Sequence, residues 1–260
     1  MNEVVTVALG DLRADPYSKI LCYPRFSNEE LERRIGELSS LGIVALEFRG
    51  SRTILGVKTL GKGCVGIVVS ALQGDRRIAL KILRTDADRV GFEHEASMLK
   101  LASSVSVGPK LVGFTGRFLA MEYLAGVPLP QWVAGLVGRG RKLRLKRVLV
   151  KLLDKCHRLD RMGLDHGELS RAPKHIIVDE SDKPEIVDFE TASTERRPSN
   201  VTSLCQYLLI GSDLSAKIRQ IVGPVRRRAL IAALRKYKKE EGFGTIQPIL
   251  RVLDLESVEH

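Results

Sequence analysis

The stretch that most constrains the fold is residues 43–82. It repeats short β-branched segments, IVALEF, TILGVKTL, VGIVVSAL and RRIALKIL, separated by glycine-containing turns such as QGD. That is the pattern of an antiparallel sheet. A helical run follows in which Phe92, Ala96 and Leu99 share a face, then a strand-like segment over residues 118–124. Beyond Gly126 helices dominate. The longest is predicted over residues 142–162, with Leu145, Val148, Leu149, Leu152, Cys156 and Leu159 on one stripe and Gly163 at its end. Two short strand-like pieces, HIIVD and PEIVDF, flank a turn at SDKP, and the remainder reads as helical to about residue 241. Ahead of the sheet, residues 1–53 form a leader with one clear helix. Ser27 and Glu30 make a capping box there, and Leu31, Ile35 and Leu38 recur at helical spacing until Gly42. The expected class is α+β, a β-rich part followed by a mostly helical one.

With 260 residues, 44% of them apolar, the chain has ample material for a core. That excludes a disordered tail, and the length excludes a large multidomain assembly. The formal charge of +11 favours anionic partners without naming one. Residues 139–151 carry seven Lys or Arg and no acid, and residues 217–239 carry nine and no acid. The bland reading is solvated helix faces whose long stems cover the core; the functional one is a patch for nucleic acid or an acidic partner. Few aromatics interleave with these basic residues, which argues against stacking on single-stranded bases. Four cysteines, Cys22, Cys64, Cys156 and Cys205, lack any CxxC pairing and are expected as reduced thiols. The first residues lack a basic start followed by an apolar run, and the most membrane-like stretch, residues 111–138, contains Arg117 and Glu122. A soluble cytoplasmic protein with no membrane partner is expected.

Gly61, Gly63 and Gly66 spell GxGxxG, a pattern shared by dinucleotide folds, kinases and ordinary turns. In a dinucleotide site the third glycine opens a helix, but Ile67, Val68 and Val69 are β-branched and lead into a strand. A P-loop reading of GVKTLGK fails too, because Gly63 stands where a Ser or Thr is needed. What survives is a glycine-rich turn between antiparallel strands, through which backbone amides can approach phosphate oxygens. One strand further on, Lys81 closes IALK. Alone, such a lysine is a surface charge; after this loop it is a candidate to neutralise phosphates, provided a carboxylate holds it. Glu93 and Glu95 flank the apolar stripe of the next helix and only one can face inward, which makes Glu95 the candidate partner.

Downstream, Asp165, His166, Glu168 and Asp188 sit at or near the ends of predicted elements. A lone acid there is usually a cap or turn residue. Two carboxylates twenty positions apart and bridged by a hairpin, Glu168 and Asp188, are better explained as a pair working on one substrate. One would orient an attacking hydroxyl and accept its proton, and the other would bind magnesium.

Taken together, these pieces resemble a divergent member of the protein-kinase-like superfamily, most closely the archaeal-type serine/threonine kinases that carry HGEL and DFE variants and the short RIO-like form. The similarity spans roughly residues 57–209: the glycine loop, Lys81 in the place of the V-A-I-K lysine, Glu95 as its partner, MEYLAG at 121–126 as a hinge, HGEL at 166–169 as a catalytic loop, and DFE at 188–190 where D-F-G stands. The resemblance implies a two-lobed fold, a β-rich N-lobe at 54–125 and a helical C-lobe at 126–260, with 1–53 as an extension. It implies ATP and magnesium between the lobes: Leu60, Val68, Ala79 and Ile177 around adenine, Met121, Glu122 and Leu124 at the hinge, Lys81 on the phosphates, Asp188 on the metal, Glu168 as base, and Arg171 or Lys174 near the transferred group.

The sequence departs from the family at four points. Glu168 replaces the usual Asp, and Glu190 replaces Gly. The metal-binding Asn falls on Pro173 or, with two extra residues allowed, on His175, whose imidazole is a poor magnesium ligand. No A-P-E segment follows. The implied activity is ATP-dependent phosphorylation of a protein or small-molecule hydroxyl, or ATP hydrolysis by the same build. The alternatives are a catalytically weak nucleotide-binding scaffold and a nucleic-acid-associated kinase-like protein.

Overall fold

The computed structural model describes residues 4–88, 91–171, 173–240 and 244–256. The chain is α+β, with a β-rich region and a helical one, and divides into two compact units: residues 1–97 with 110–123, and residues 98–109 with 124–260.

Unit 1 begins with strand β1 (Val5–Ala8), helix α1 (Tyr17–Leu21) and helix α2 (Asn28–Ser40). Then come β2 (Ile43–Phe48), β3 (Arg52–Ile54), β4 (Val57–Thr59), β5 (Gly61–Lys62), β6 (Gly66–Gln73) and β7 (Arg76–Leu83), helix α3 (Glu93–Ser104), which runs past the end of the unit's first segment, and strands β8 (Leu111–Phe114) and β9 (Phe118–Glu122). The main sheet has the order β1-β2-β6-β7-β9-β8, with β5 on β6 and every pair antiparallel, while β3 and β4 form a separate hairpin. β6 and β7 join through Gly74 and Asp75 alone, the shortest hairpin turn and a place where glycine is favoured.

These central strands read as nearly continuous apolar runs because one face of the sheet lies on the larger core and part of the other is covered by α3. Ile67, Val69, Ala71, Ile78, Leu80, Ile82, Phe118 and Ala120 point into the larger core, and the leader fills it from the other side with Leu12, Ile20, Leu21, Leu31, Ile35 and Leu38. The leader, set apart in the sequence reading with one helix, therefore belongs to unit 1 and supplies an edge strand and two helices. Ser27 does cap α2, accepting from the Glu30 N–H at 3.2 Å. The reciprocal half of the box is missing, because the Glu30 carboxylate is bound by Arg34 and Arg117 at 2.7 Å each. Two guanidinium donors outcompete one backbone amide. Arg34 is itself buried, donating to the carbonyls of Leu21 and Leu83.

Unit 2 takes in the second half of α3 and the linker after it, which the resemblance places in the N-terminal lobe. The polar contacts explain the change: Lys155 Nζ donates to the Ser106 carbonyl at 3.1 Å and Arg158 to that of Val105 at 2.9 Å. Its further elements are β10 (Gly126–Pro128), α4 (Leu129–Ala134), α5 (Arg141–Met162), β11 (Ile176–Asp179), β12 (Pro184–Ile186), α6 (Asn200–Cys205) running into a π turn at Gln206–Ile210, α7 (Asp213–Val222), α8 (Arg227–Lys239) and α9 (Gln247–Val252). β10, β11 and β12 make a small antiparallel sheet. All six stripe residues of α5 are buried. α9 lies beyond the predicted end of helix, since six residues are too short to display a period. Cys22, Cys156 and Cys205 are buried thiols and Cys64 is an exposed one. Among the described residues no helix is long and apolar enough to cross a membrane.

Candidate functional site

In unit 1 the strand register collects the predicted residues on one sheet face. Residues directly opposite in a ladder share a face, as do i and i+2 on one strand. The pairs Gly61↔Val68, Gly66↔Leu83, Val68↔Lys81 and Ala79↔Met121 thus put Gly61, Gly66, Val68, Ala79, Lys81 and Met121 on the same side. α3 covers part of that side, with Phe92 and Ala96 packed on Leu83 and Leu119. Glu95 points inward while Glu93 stays exposed. Lys81 Nζ donates to both Glu95 oxygens, at 2.8 and 3.0 Å, with both side chains buried. A buried ammonium needs such a partner, because stripping its water costs several kcal/mol.

The glycine loop is a hairpin, closed by the Gly63 N–H donating to the Gly66 carbonyl at 2.8 Å, with Gly63 and Cys64 exposed at its tip. Glycine suits position 66 by close approach: a Cβ there would lie 3.0 Å from Lys81 Cγ and 3.1 Å from the Ile82 carbonyl oxygen, tighter than ordinary contact. The loop is tied to the leader by Lys62 Nζ, which donates to the Tyr23 hydroxyl at 2.7 Å. Leu60 is half-buried and gives its N–H to the Val68 carbonyl at 2.9 Å. In the 121–126 segment the Glu122 N–H is committed to the Lys110 carbonyl, and the division between units falls after Tyr123, just before Leu124.

In unit 2, three predicted residues come together. The ligand atoms of Glu168, His175 and Asp188 all lie within 4.8 Å of one another. His175 Nε2 is 3.5 Å from Glu168 and 3.6 Å from Asp188. Of the two positions left open for the metal-binding Asn, His175 is the one in the cluster, while Pro173 is exposed. Asp188 sits at φ +71°, a left-handed conformation that an L-residue adopts only when its surroundings impose it. Gly167, in the HGEL turn at φ +88°, has no room for a Cβ, which would sit 2.9 Å from Thr191 Oγ1. Ile177 is half-buried in β11, and Arg171 and Lys174 are exposed. Asp165 is occupied otherwise: it is buried, and it accepts from Arg196 and from the Ser199 N–H at 3.1 Å each.

The donor set does not fit the magnesium implied by the resemblance. Two carboxylates suit that ion, but the third donor is an imidazole, which magnesium binds poorly.

A buried network behind these residues escaped the sequence reading. Asp160, on α5, accepts from the backbone and side-chain N–H groups of Asn200 at 2.8 Å each, from the Val201 N–H at 3.2 Å and from the Tyr237 hydroxyl at 2.9 Å. With its proton given to Asp160, the Tyr237 oxygen accepts from His157 Nδ1 at 3.0 Å. Asn200 Oδ1 in turn accepts from the His166 N–H at 2.9 Å, fixing the HGEL turn to α6. His166 Nε2 donates to the Val187 carbonyl at 3.1 Å, next to Asp188, so its Nδ1 is the unprotonated nitrogen and has no partner among the described residues. Burial lowers the His166 pKa to about 4 and raises those of Asp160 and Tyr237. The one sequence signal was Asp160 itself, an acid beside an apolar stripe, where a carboxylate must find partners.

The two basic segments differ. On α5, Arg144 makes a two-pronged contact to Asp182 and Lys146 binds Asp254, so part of that charge is structural. On α8, Arg228, Arg235 and Lys239 form an exposed stripe at i, i+7 and i+11, away from the buried Leu230, Leu234 and Tyr237. No family model matches the chain, and no curated protein matches it.

Proposed function

We propose that the chain is an ATP-dependent phosphotransferase of the protein-kinase-like kind, acting on a serine or threonine hydroxyl. The observation that carries this reading is the buried Lys81–Glu95 pair directly behind a glycine hairpin on one sheet face. Burying an ammonium costs several kcal/mol that pairing only partly offsets, so a buried lysine calls for a functional explanation. Beside a glycine hairpin with an exposed tip, the role that fits is binding a polyphosphate. In this reading Lys81 neutralises phosphate oxygens, Glu95 holds Lys81 in place, and Val68, Ala79 and Met121 offer the apolar surface for a base. Glu168 orients the acceptor hydroxyl and takes its proton, which the extra methylene relative to Asp permits if the backbone lies slightly further back.

The test is transfer of label from γ-labelled ATP to the chain itself, to generic proteins or to water. Transfer is expected in the parent, falling about 100-fold in Lys81→Met and in Asp188→Asn, the usual loss when one electrostatic anchor is removed. A parent inactive towards all three acceptors with every divalent ion tried would overturn the reading. If ATP still raised the melting temperature of that inactive parent, a non-catalytic nucleotide-binding scaffold would take its place.

A second reading, association with nucleic acid, is favoured by the exposed α8 stripe in a segment free of acids. Three phosphate contacts on single-stranded RNA predict a log–log salt slope of about −2. The slope should vanish when Arg228, Arg235 and Lys239 are all changed to Ala; binding that ignores salt would remove phosphate contacts as its cause.

A further inference from the structure

The mismatch between magnesium and the unit 2 cluster points to a different ion. His175 is 8% exposed, and its buried Nδ1 has no hydrogen-bond partner among the described residues. Its Nε2 faces two carboxylate oxygens at 3.5 and 3.6 Å, longer than an ordinary hydrogen bond. Two donors each about 2.1 Å from one ion at the tetrahedral angle are about 3.4 Å apart, so those separations are what shared coordination produces. The side chains of Glu168 and Asp188 are 42% and 36% exposed, against 10% for His175. The donors therefore form a floor with an open side, where water or a phosphate oxygen can complete the coordination.

We propose that Glu168, His175 and Asp188 form a site for a first-row transition ion such as Mn2+, Co2+ or Zn2+, bound in preference to magnesium. The reason is donor softness. An imidazole adds affinity for ions from Mn2+ to Zn2+, whereas Mg2+ favours oxygen donors and gives up its water reluctantly. The site shares residues with the proposed phosphotransferase but rests on unit 2 alone, and it requires no nucleotide. It also gives Glu168 a second partner: an ion bound to all three donors competes with the acceptor hydroxyl for that carboxylate.

The test uses the full chain, stripped of metal with a chelator and free of nucleotide. Mn2+ binding is followed by loss of the free-ion electron paramagnetic resonance signal, and Co2+ binding by its visible absorption. One equivalent of either ion is expected to bind, with Mg2+ at least about tenfold weaker in competition, the size of effect one well-matched donor supplies. His175→Asn should abolish the preference and Glu168→Gln should weaken Co2+ binding and alter its spectrum. Mg2+ competing on equal terms in the parent would overturn the proposal. So would an unchanged ion preference in folded His175→Asn. If that variant does not fold, unchanged Mn2+ and Co2+ binding in the half-exposed Glu168→Gln would do the same. The two proposals fail separately. Stoichiometric Mn2+ binding supports the ion site even if the chain never transfers phosphate, whereas transfer by a chain that binds Mg2+ and Mn2+ equally sinks the ion preference alone.

Discussion

Asp160→Ala is expected to lower the stability of the chain by about 3–5 kcal/mol, read as a fall in the urea unfolding midpoint. The carboxylate is buried and takes four hydrogen bonds from three residues that belong to α6 and α8. Deleting it removes those bonds and takes the shared acceptor from the N–H groups of Asn200 and Val201, leaving donors unsatisfied away from water. Asp160→Asn should recover only part of the loss, because one of its two positions becomes a donor facing donors. Tyr237→Phe alone should cost about 1–1.5 kcal/mol, and less when Asp160 is already Ala, since the bond between the two is then already lost and the His157 contact is still there to lose. A loss below about 1 kcal/mol in Asp160→Ala, or strict additivity with Tyr237→Phe, would show that the network does not hold α6 and α8 to α5.

Acid should destabilise the fold through His166 well before the ordinary carboxylates titrate. Its folded-state pKa is about 4 against an ordinary 6.5, because burial disfavours the imidazolium. The unfolded chain thus binds the proton first as pH falls. The contribution of the neutral ring is complete above pH 6.5 and is lost as pH drops towards 4, amounting to about 3 kcal/mol over the whole window and about 2 kcal/mol between pH 6.5 and 5. His157, whose pKa burial also lowers, adds in the same direction. Asp160 works the other way: its raised pKa favours the protonated folded form, so its contribution grows as pH falls and is lost as pH rises. Urea midpoints taken from pH 7 to 5 with a chelator present should fall in the parent and fall less steeply in His166→Phe. Equal slopes in the two proteins would exclude His166 as the sensitive group.

Much of the candidate site follows from local pattern. β-branched residues after Gly66 decide that the glycine motif is a hairpin, because they favour a strand over a helix start. The choice of Glu95 over Glu93 follows from helical spacing, since Phe92, Ala96 and Leu99 fix which side of α3 faces inward. Other features depend on insertions and crossings that no period records. That His175 rather than Pro173 stands beside Asp188 is decided by the path of the loop. The Asp160–Asn200–Tyr237 network joins positions 40 and 77 residues apart, each polar and unremarkable in its own segment.

From the sequence alone came the alternation of β-branched runs and turns, the apolar stripe of α5, the hairpin nature of the glycine loop and a short inventory of amines and acids able to do chemistry. The tertiary structure decided what covers what. The leader became the back wall of the main sheet, the end of α3 passed to unit 2, and the HGEL turn was hung from a carboxylate on α5. The physical reason is that periodicity records which side of an element avoids water, a property of neighbours in sequence. The partner that shields that side, or accepts a buried proton, is chosen by register and topology, which only the folded chain possesses.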